Sequence, residues 1–338
     1  MSSIRDVANL AHVSPATVSR VLNNDETYKI TPETRENVLR AATQLNYKPL
    51  VKRRKRADAQ PKDRHRLSIG CLLAATKGKY SDPFYLSILS GIEQELEKHN
   101  ACVTLVHTEQ ELESEEVLRD LLGAGLDGLV MMRPLSDPLF EVLHSRIPHI
   151  VGIDTGHAPI DSVEYDHERV SRMAVEYLYG KGHREIGYIG GGVIGARLER
   201  SRRFRSYRET MTDLGLEIRP EWVLDCEWDD KLCMKLVERV CAGEKRPTAF
   251  YAASDLMAMA ALRALYQLGI HVPGQMAVIG MSNIEMSQYA NPPLTTIDVP
   301  TVEIGIAVAR VILARIHGDK TLPKHITLPS TLIERDSV

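Results

Sequence analysis

The sequence predicts an α/β protein in two parts: an N-terminal three-helix helix-turn-helix domain and a larger two-lobed core of parallel sheets flanked by helices. Three observations lead there. Residues 6–23, DVANLAHVSPATVSRVLN, read as two short amphipathic helices joined by a tight turn. From Leu67 onward, short apolar runs alternate with amphipathic stretches, the pattern of a parallel sheet covered on both faces. The charge divides at the same place. Residues 1–66 hold 14 Lys+Arg against 7 Asp+Glu, a net of +7, and the rest of the 338-residue chain carries −10. A cationic head on an anionic body suits a polyanion-binding module fused to a separate domain.

In the head, Val7, Leu10 and Ala11 give the first helix an apolar face, and Val18, Val21 and Leu22 do the same for the second. Ser14 is the expected N-cap of that second helix. Pro15 takes its first position, where a missing N–H costs nothing. Pro15, Ala16, Thr17, Arg20 and Asn23 then turn outward, small or polar groups suited to a groove rather than a core. The second helix of such a motif lies in the DNA major groove. Thr31 and Pro32 open a third helix, along which Val38, Leu39, Ala42 and Leu45 recur at helical spacing. Tyr47 closes the small core and Pro49 ends the helix, so the first domain is expected over 1–48.

A linker follows over 49–65. Residues 50–66, LVKRRKRADAQPKDRHR, hold nine basic residues in seventeen, His65 included. Two readings stay open: an arginine-rich segment, Arg53 and Arg56 among it, that enters a narrow minor groove, or a basic tether that binds phosphates without order.

In the core, 66–338, strands are expected at 67–75, 101–108, 126–132, 149–154, 185–190, 248–254 and 277–282, with helices such as 84–100 and 171–182 between them. Roughly 270 residues exceed one comfortable α/β domain, so two lobes are expected. The boundaries read as 66–163 with 293–325 for the first lobe, and 164–292 with 326–338 for the second. Asp154, Asp255 and Ser282 fall where strands end, and open α/β sheets bind ligands at that end.

Composition excludes several classes. No run of ~18 uncharged apolar residues exists, so no membrane partner is expected. The start, MSSIRDVANL, lacks an apolar signal region, and the five cysteines (71, 102, 226, 233 and 241) show no CxxC spacing, so a reducing cytoplasm is the expected location. The twelve histidines form no HExxH pair, and no metal is expected. Gly190-x-Gly192-x-x-Gly195 follows an apolar strand as a dinucleotide fingerprint would. Yet no acidic residue ends a second strand some 20 residues on, and DLGLE (213–217) lies between helical stretches. A tight strand-to-helix turn explains these glycines better, so neither a cofactor nor a catalytic residue is expected.

The chain resembles the LacI/GalR family of bacterial repressors. The likeness lies in D-V-A (6–8), V-S-x-x-T-V-S-R-V-L-N (13–23), T-R-E (34–36) and L-N-Y-x-P (45–49) in the head. In the core it lies in D-P-F-Y (82–85), G-I-E (91–93), H-R-E-I-G-Y-I-G-G (183–191), A-S-D (253–255) and P-P-L-T-T-I (292–297). The resemblance implies a homodimer that reads a near-palindromic DNA operator. It also implies a periplasmic-binding-protein-like core that clasps a small effector, a sugar above all. In the head, Pro15, Ala16 and Arg20 would face base edges, while Ser14, Thr17 and Asn23 hold phosphates. His12 stands where the family has a turn glycine, and Arg56 where its hinge helix has a wedging leucine.

In the core, the resemblance places Phe84, Tyr85, Asp154, Arg200 and Trp228 around the effector. Arg200 matches the arginine before the family's glycine–phenylalanine pair, which is Arg203-Phe204 here. Ser282 replaces an acidic or amide residue, with Asn283 beside it. On the residues alone, Trp228 reads as a surface or core aromatic, Arg200 as part of a solvated helix face and Asp154 as a cap. D-P-F-Y and F-x-x-Y-x-x-x-M (204–211) are most similar to galactoside-responsive members, which implies galactose or a galactoside as effector. The helix over 84–100 is expected to serve both the cleft and the dimer contact.

Overall fold

The computed structural model describes residues 3–22, 30–45, 66–74, 80–156, 159–192 and 198–338. They form two compact units, divided between Asp63 and Arg64. Asn23, Tyr47, Arg53, Arg56, the linker over 49–65 and Gly195 lie outside the described residues.

The first unit holds three helices, α1 (Ile4–Leu10), α2 (Pro15–Leu22) and α3 (Pro32–Gln44). Ser3 and Asp6 form a capping box that starts α1: the Asp6 N–H donates to Ser3 Oγ (3.4 Å) and the Ser3 N–H to Asp6 Oδ2 (2.7 Å). The turn is made at His12, whose φ of +53° is the left-handed conformation that histidine tolerates better than most residues. Ser14 Oγ accepts from the Thr17 N–H at 3.1 Å and starts α2, and Thr31 Oγ1 accepts from the Thr34 N–H at 3.3 Å beside the start of α3. The core is Val7, Ala8, Ala11, Val18, Val21, Val38, Ala41 and Ala42. Two expected core residues stand outside it, since Leu10 is 41% exposed and Leu39 47%. Ala8 and Ala41 replace them because the helices close on small side chains that let the backbones approach, which leaves the leucines at the rim.

The second unit contains two six-stranded sheets. The first has the order β11-β5-β4-β3-β1-β2, from β1 (Leu67–Leu73), β2 (Ala101–Thr108), β3 (Gly128–Met131), β4 (Ile150–Ile153), β5 (Asp161–Tyr165) and β11 (His325–Leu328). Every pair in it is parallel. The second has the order β12-β10-β9-β8-β6-β7, from β6 (Ile186–Gly190), β7 (Val223–Asp225), β8 (Ala249–Ala252), β9 (Ala277–Ser282), β10 (Thr295–Asp298) and β12 (Thr331–Ile333). It is parallel except that β12 runs antiparallel to β10. Among the described residues, the unit's α-helices are α4 (Pro83–Glu97), α5 (Glu115–Gly123), α6 (Asp137–Arg146), α7 (His167–Gly180), α8 (Arg202–Asp213), α9 (Asp230–Cys241), α10 (Asp255–Gln267) and α11 (Thr301–Ile316). All seven expected strands are present, five of them shorter than read.

Sheet membership moves the expected lobe boundaries. β5 runs on to Tyr165 in the first sheet, β10 pairs with β9 in the second, and β11 pairs with β5 in the first. The chain therefore changes lobe near 166, 299 and 329, rather than at 163/164, 292/293 and 325/326. The shift has a simple cause: β5, β10 and β11 are short and polar, and apolar runs do not reveal them.

α4 and α11 cross at two glycines. A Cβ on Gly91 would stand 2.2 Å from the Val302 carbonyl oxygen, and one on Gly305 would stand 2.2 Å from that of Ile88. Only glycine allows this approach. With Ser87 Oγ and Thr301 Oγ1 also 2.7 Å apart, α4 is fixed to the helix that follows the second lobe crossing.

Candidate DNA-facing helix and effector cleft

On α2, Val18 and Val21 face the head core. Ser14, Pro15 and Ala16 are exposed, and Thr17 and Arg20 half-buried. The Ser14 and Thr17 hydroxyls lie 2.9 Å apart. Five of the expected DNA-binding residues thus share one stretch of surface, with one guanidinium among small groups. That surface can lie close against a groove edge.

In the second unit, a cavity of about 430 Å³ opens at the carboxyl ends of strands from both sheets. Its walls include Ala74 after β1, Met132 after β3, Asp154 after β4, Gly191 after β6, Ala253 after β8 and Ser282 at the end of β9. Phe84, Tyr85, Asp154, Arg200, Trp228, Asp255 and Ser282 all line it. Asn283 does not. Its Nδ2 donates to Asp298 Oδ1 (2.8 Å) and its Oδ1 accepts from Arg335 Nη2 (2.7 Å), a brace behind the wall.

The aromatic side of the cleft begins at Asp82, which caps α4 by accepting from the Phe84 N–H at 3.0 Å, with Pro83 in the first turn. Phe84 meets Tyr85 edge-on with ring centroids 5.2 Å apart, and Tyr165 at 6.2 Å. Burial pushes the Asp82 carboxyl up; the bond from Phe84 and the field of Arg203 only partly offset it.

Asp154 is held in two directions. Its Oδ2 lies 2.7 Å from His167 Nε2, and its Oδ1 accepts from Arg202 Nη1 at 3.0 Å. The same Nη1 also donates to Glu164 Oε2 at 3.2 Å. Burial opposes the Asp154 charge, but the adjoining His167 imidazole and the fields of Arg202 and Arg203 outweigh it and hold the carboxyl below the usual range. Burial also lowers the His167 pKa, against the pull of Asp154. Asp154 and Glu164 belong to the first lobe, His167 and Arg202 to the second, so this cluster ties the lobes together.

Trp228 stands over the other side. Glu227 and Trp228 both have positive φ, +49° and +58°, and the indole Nε1 donates to the Gly192 carbonyl at 2.8 Å. A Cβ on Gly191 would lie 2.7 Å from that Nε1. Gly191 therefore leaves space for an indole ring. Asp154, Glu227, Trp228, Ser282 and Asn283 are five of the seven non-glycine residues with positive φ among those described. Such strain persists where surrounding structure enforces it, and it concentrates at functional sites.

Asp255 lines the cleft but its carboxylate is engaged inside the lobe. Oδ1 accepts from Thr296 Oγ1 (2.6 Å) and Oδ2 from the Ile284 N–H (2.9 Å). Burial pushes its pKa up to about 6 despite both bonds. It is a strut for the Ser282–Ile284 segment.

Sequence reasoning missed Asp82, Glu164, His167, Arg202 and Arg203, all of which line the cleft. Asp82 was open to discovery, as an Asp-Pro pair at a helix start inside the D-P-F-Y motif. The arginines were visible only as a basic run, in which nothing distinguishes the inward members. Arg203 donates to the Tyr165 hydroxyl and sits 5.5 Å from the Trp228 ring. Among the described residues no cluster of three or more His, Cys, Asp or Glu could hold a metal ion, and no helix is long and apolar enough to cross a membrane.

Comparison with known proteins agrees with this geometry. Residues 3–49 match "Bacterial regulatory proteins, lacI family" and residues 175–338 match "Periplasmic binding protein-like domain". The chain is 34% identical over 347 residues to the HTH-type transcriptional repressor MelR of Bacillus subtilis (strain 168), covering all of this chain and 97% of that one. It is 31% identical over 349 residues to the HTH-type transcriptional repressor PurR of Vibrio cholerae serotype O1 (strain M66-2), covering all of this chain and 98% of that one. Among solved structures, that of the transcriptional regulator CelR with cellobiose superimposes with a TM-score of 0.71 at 28% identity, covering both chains fully.

Proposed function

Because the chain belongs to the lacI family of bacterial regulatory proteins, a family of DNA-binding transcriptional repressors rather than enzymes, we propose that it represses sugar-utilisation genes and is released by a small sugar. The observation that carries this reading is a cleft at the strand ends that combines aromatic faces with hydrogen-bonding groups. An aromatic ring stacks on the C–H side of a pyranose while charged groups fork to its hydroxyls. The structure of CelR with cellobiose supports a sugar for this chain as well. Galactose and galactosides are the first ligands to test, on the D-P-F-Y and F-x-x-Y-x-x-x-M stretches.

The protein acts in the cytoplasm as a homodimer. One helix-turn-helix has a small interface, and two held by a shared body read the half-sites of a near-palindrome. Ser14, Thr17 and Asn23 hold phosphates, Pro15, Ala16 and Arg20 read bases, and Tyr47, Arg53 and Arg56 add further DNA contacts. Effector changes the angle between the lobes, and the two DNA affinities differ by that coupling. α4 serves the dimer contact as well as the cleft.

The test is DNA binding by the full-length protein to genomic fragments, followed by anisotropy while galactose and galactosides are added. The expected result is selective binding that weakens with sugar and steeply with salt. Tighter binding on sugar addition would mark a corepressor. No preference among fragments, with or without ligand, would overturn the reading.

A further inference from the structure

Of the four arginines lining the cleft, two are tied to carboxylates. Arg202 bonds Asp154 and Glu164, and Arg133 Nε lies 3.4 Å from Glu109. The other two are not. Arg200 is exposed at the cleft and makes no hydrogen bond or ion pair among the described residues. Arg203 lies deeper, with one bond to the Tyr165 hydroxyl and an enclosed Nε that has no partner. Asp82 and Asp154 are the cleft carboxylates in its field, and Asp154 is already engaged by Arg202. One Asp82 oxygen caps α4, and burial disfavours its charge.

Arg203 is half-buried and meets solvent at the cleft. A ligand that fills the cleft strips that water away, and a guanidinium left without acceptors is costly. A neutral hydroxyl restores one bond. A carboxylate or phosphate offers two parallel acceptors and an opposite charge, the arrangement a guanidinium fork fits best. We propose that Arg203 is the specificity-determining residue of the cleft and that it selects a sugar bearing a carboxylate or phosphate, with Arg200 as the second cation at the mouth. The proposal rests on the sugar-effector reading above and narrows its ligand class. It also supplies a link to lobe movement, because an anion on Arg203 competes with Tyr165, which ends a first-lobe strand, for a second-lobe arginine.

Calorimetric titration of the full-length protein tests it with galactose, galacturonate and galactose 6-phosphate, and with glucose, glucuronate and glucose 6-phosphate. At least one acid or phosphate should bind about tenfold or more tighter than its neutral parent, the advantage of a charge-assisted bond. Which one wins separates carboxylate from phosphate. The preference should shrink with added salt and vanish in Arg203→Met, with Arg203→Lys intermediate because it keeps a charge but loses the fork. A melting curve on each variant confirms folding. Equal binding of neutral and anionic forms by the unaltered protein would overturn the proposal and leave the sugar reading intact. A folded Arg203→Met that keeps the preference would remove Arg203 from the role. Binding of no sugar, charged or neutral, would sink both readings.

Discussion

At the start of α2, Ser14, Pro15 and Ala16 stand exposed above a core of valines and alanines, whereas in the cleft Asp154, Trp228 and Asp255 are each held by bonds to residues distant in sequence. The two regions meet different physical demands. A DNA-reading surface needs outward groups at fixed spacing on one rigid helix, and 3.6-residue periodicity writes that spacing into consecutive residues. A cleft between lobes needs groups from several strand ends and helix starts. Each must be held in place before any ligand arrives. The difference predicts that substitutions on the head act locally, while those in the cleft spread to their partners.

The largest effect expected is a pH dependence inside the second lobe. Asp255 has a folded pKa raised to about 6 by burial, so the folded state binds its proton more tightly than the unfolded chain does. Its contribution to stability is fully present below the unfolded value of 3.8 and is lost as pH rises through about 6. At roughly 1.4 kcal/mol per pKa unit the swing is on the order of 2–3 kcal/mol. Asp255→Asn retains both bonds, with its amide donating to Thr296 Oγ1 and its oxygen accepting from the Ile284 N–H. Denaturant unfolding between pH 4 and 7 should show the variant gaining on the parent as pH rises. Parallel profiles would mean that Asp255 is not the titrating strut described.

In the head, Val18→Ala removes two buried methyl groups from the core, at a cost of about 2 kcal/mol. The head should melt roughly 10 °C earlier, as expected for so small a unit, while the melting of the second unit stays put. Calorimetry of the full chain resolves the two, and a joint shift would break the contrast between a local head and a networked body. Arg20→Ala comes next. It should relax base preference by roughly 1–3 kcal/mol while largely preserving affinity for unrelated DNA. Equal loss on every sequence would make Arg20 a phosphate contact.

The same contrast explains what the residues revealed in advance. The three head helices, their caps at Ser14 and Thr31 and the turn at His12 were legible because short-range spacing and capping chemistry decide them. Leu10 and Leu39 misled because hydrophobicity by itself does not say which residues a close helix crossing admits, and here alanines do. The apolar strands were legible, but β5 was not. Its Asp161 is buried by grace of a two-pronged bond from Arg315, whose Nε and Nη2 donate to the carboxylate at 2.7 and 2.8 Å from 154 positions away. In the cleft, Phe84, Tyr85, Arg200 and Trp228 were reached through resemblance. Asp255 came from its place at a strand end, and Asp154 and Ser282 from both. Arg202 and Arg203 were invisible, because their partners Asp154, Glu164 and Tyr165 lie 38 or more residues earlier.

The smallest expected effect sharpens the comparison most. Arg202 joins Asp154 and Glu164 across the two lobes, and its side chain is 37% exposed. A pair so open to water contributes less than about 1 kcal/mol to stability, so Arg202→Met should melt within a few degrees of the parent. The lobes, however, would lose two of the contacts that join them in the absence of ligand. The ratio of operator affinities with and without effector should therefore change several-fold even though the fold does not. Asp154→Asn should move that ratio in the same direction. Because the two residues touch, the double variant should fall short of the sum of the singles. Simple additivity would show that the two side chains act separately, and the cleft would then be no more networked than the face of α2.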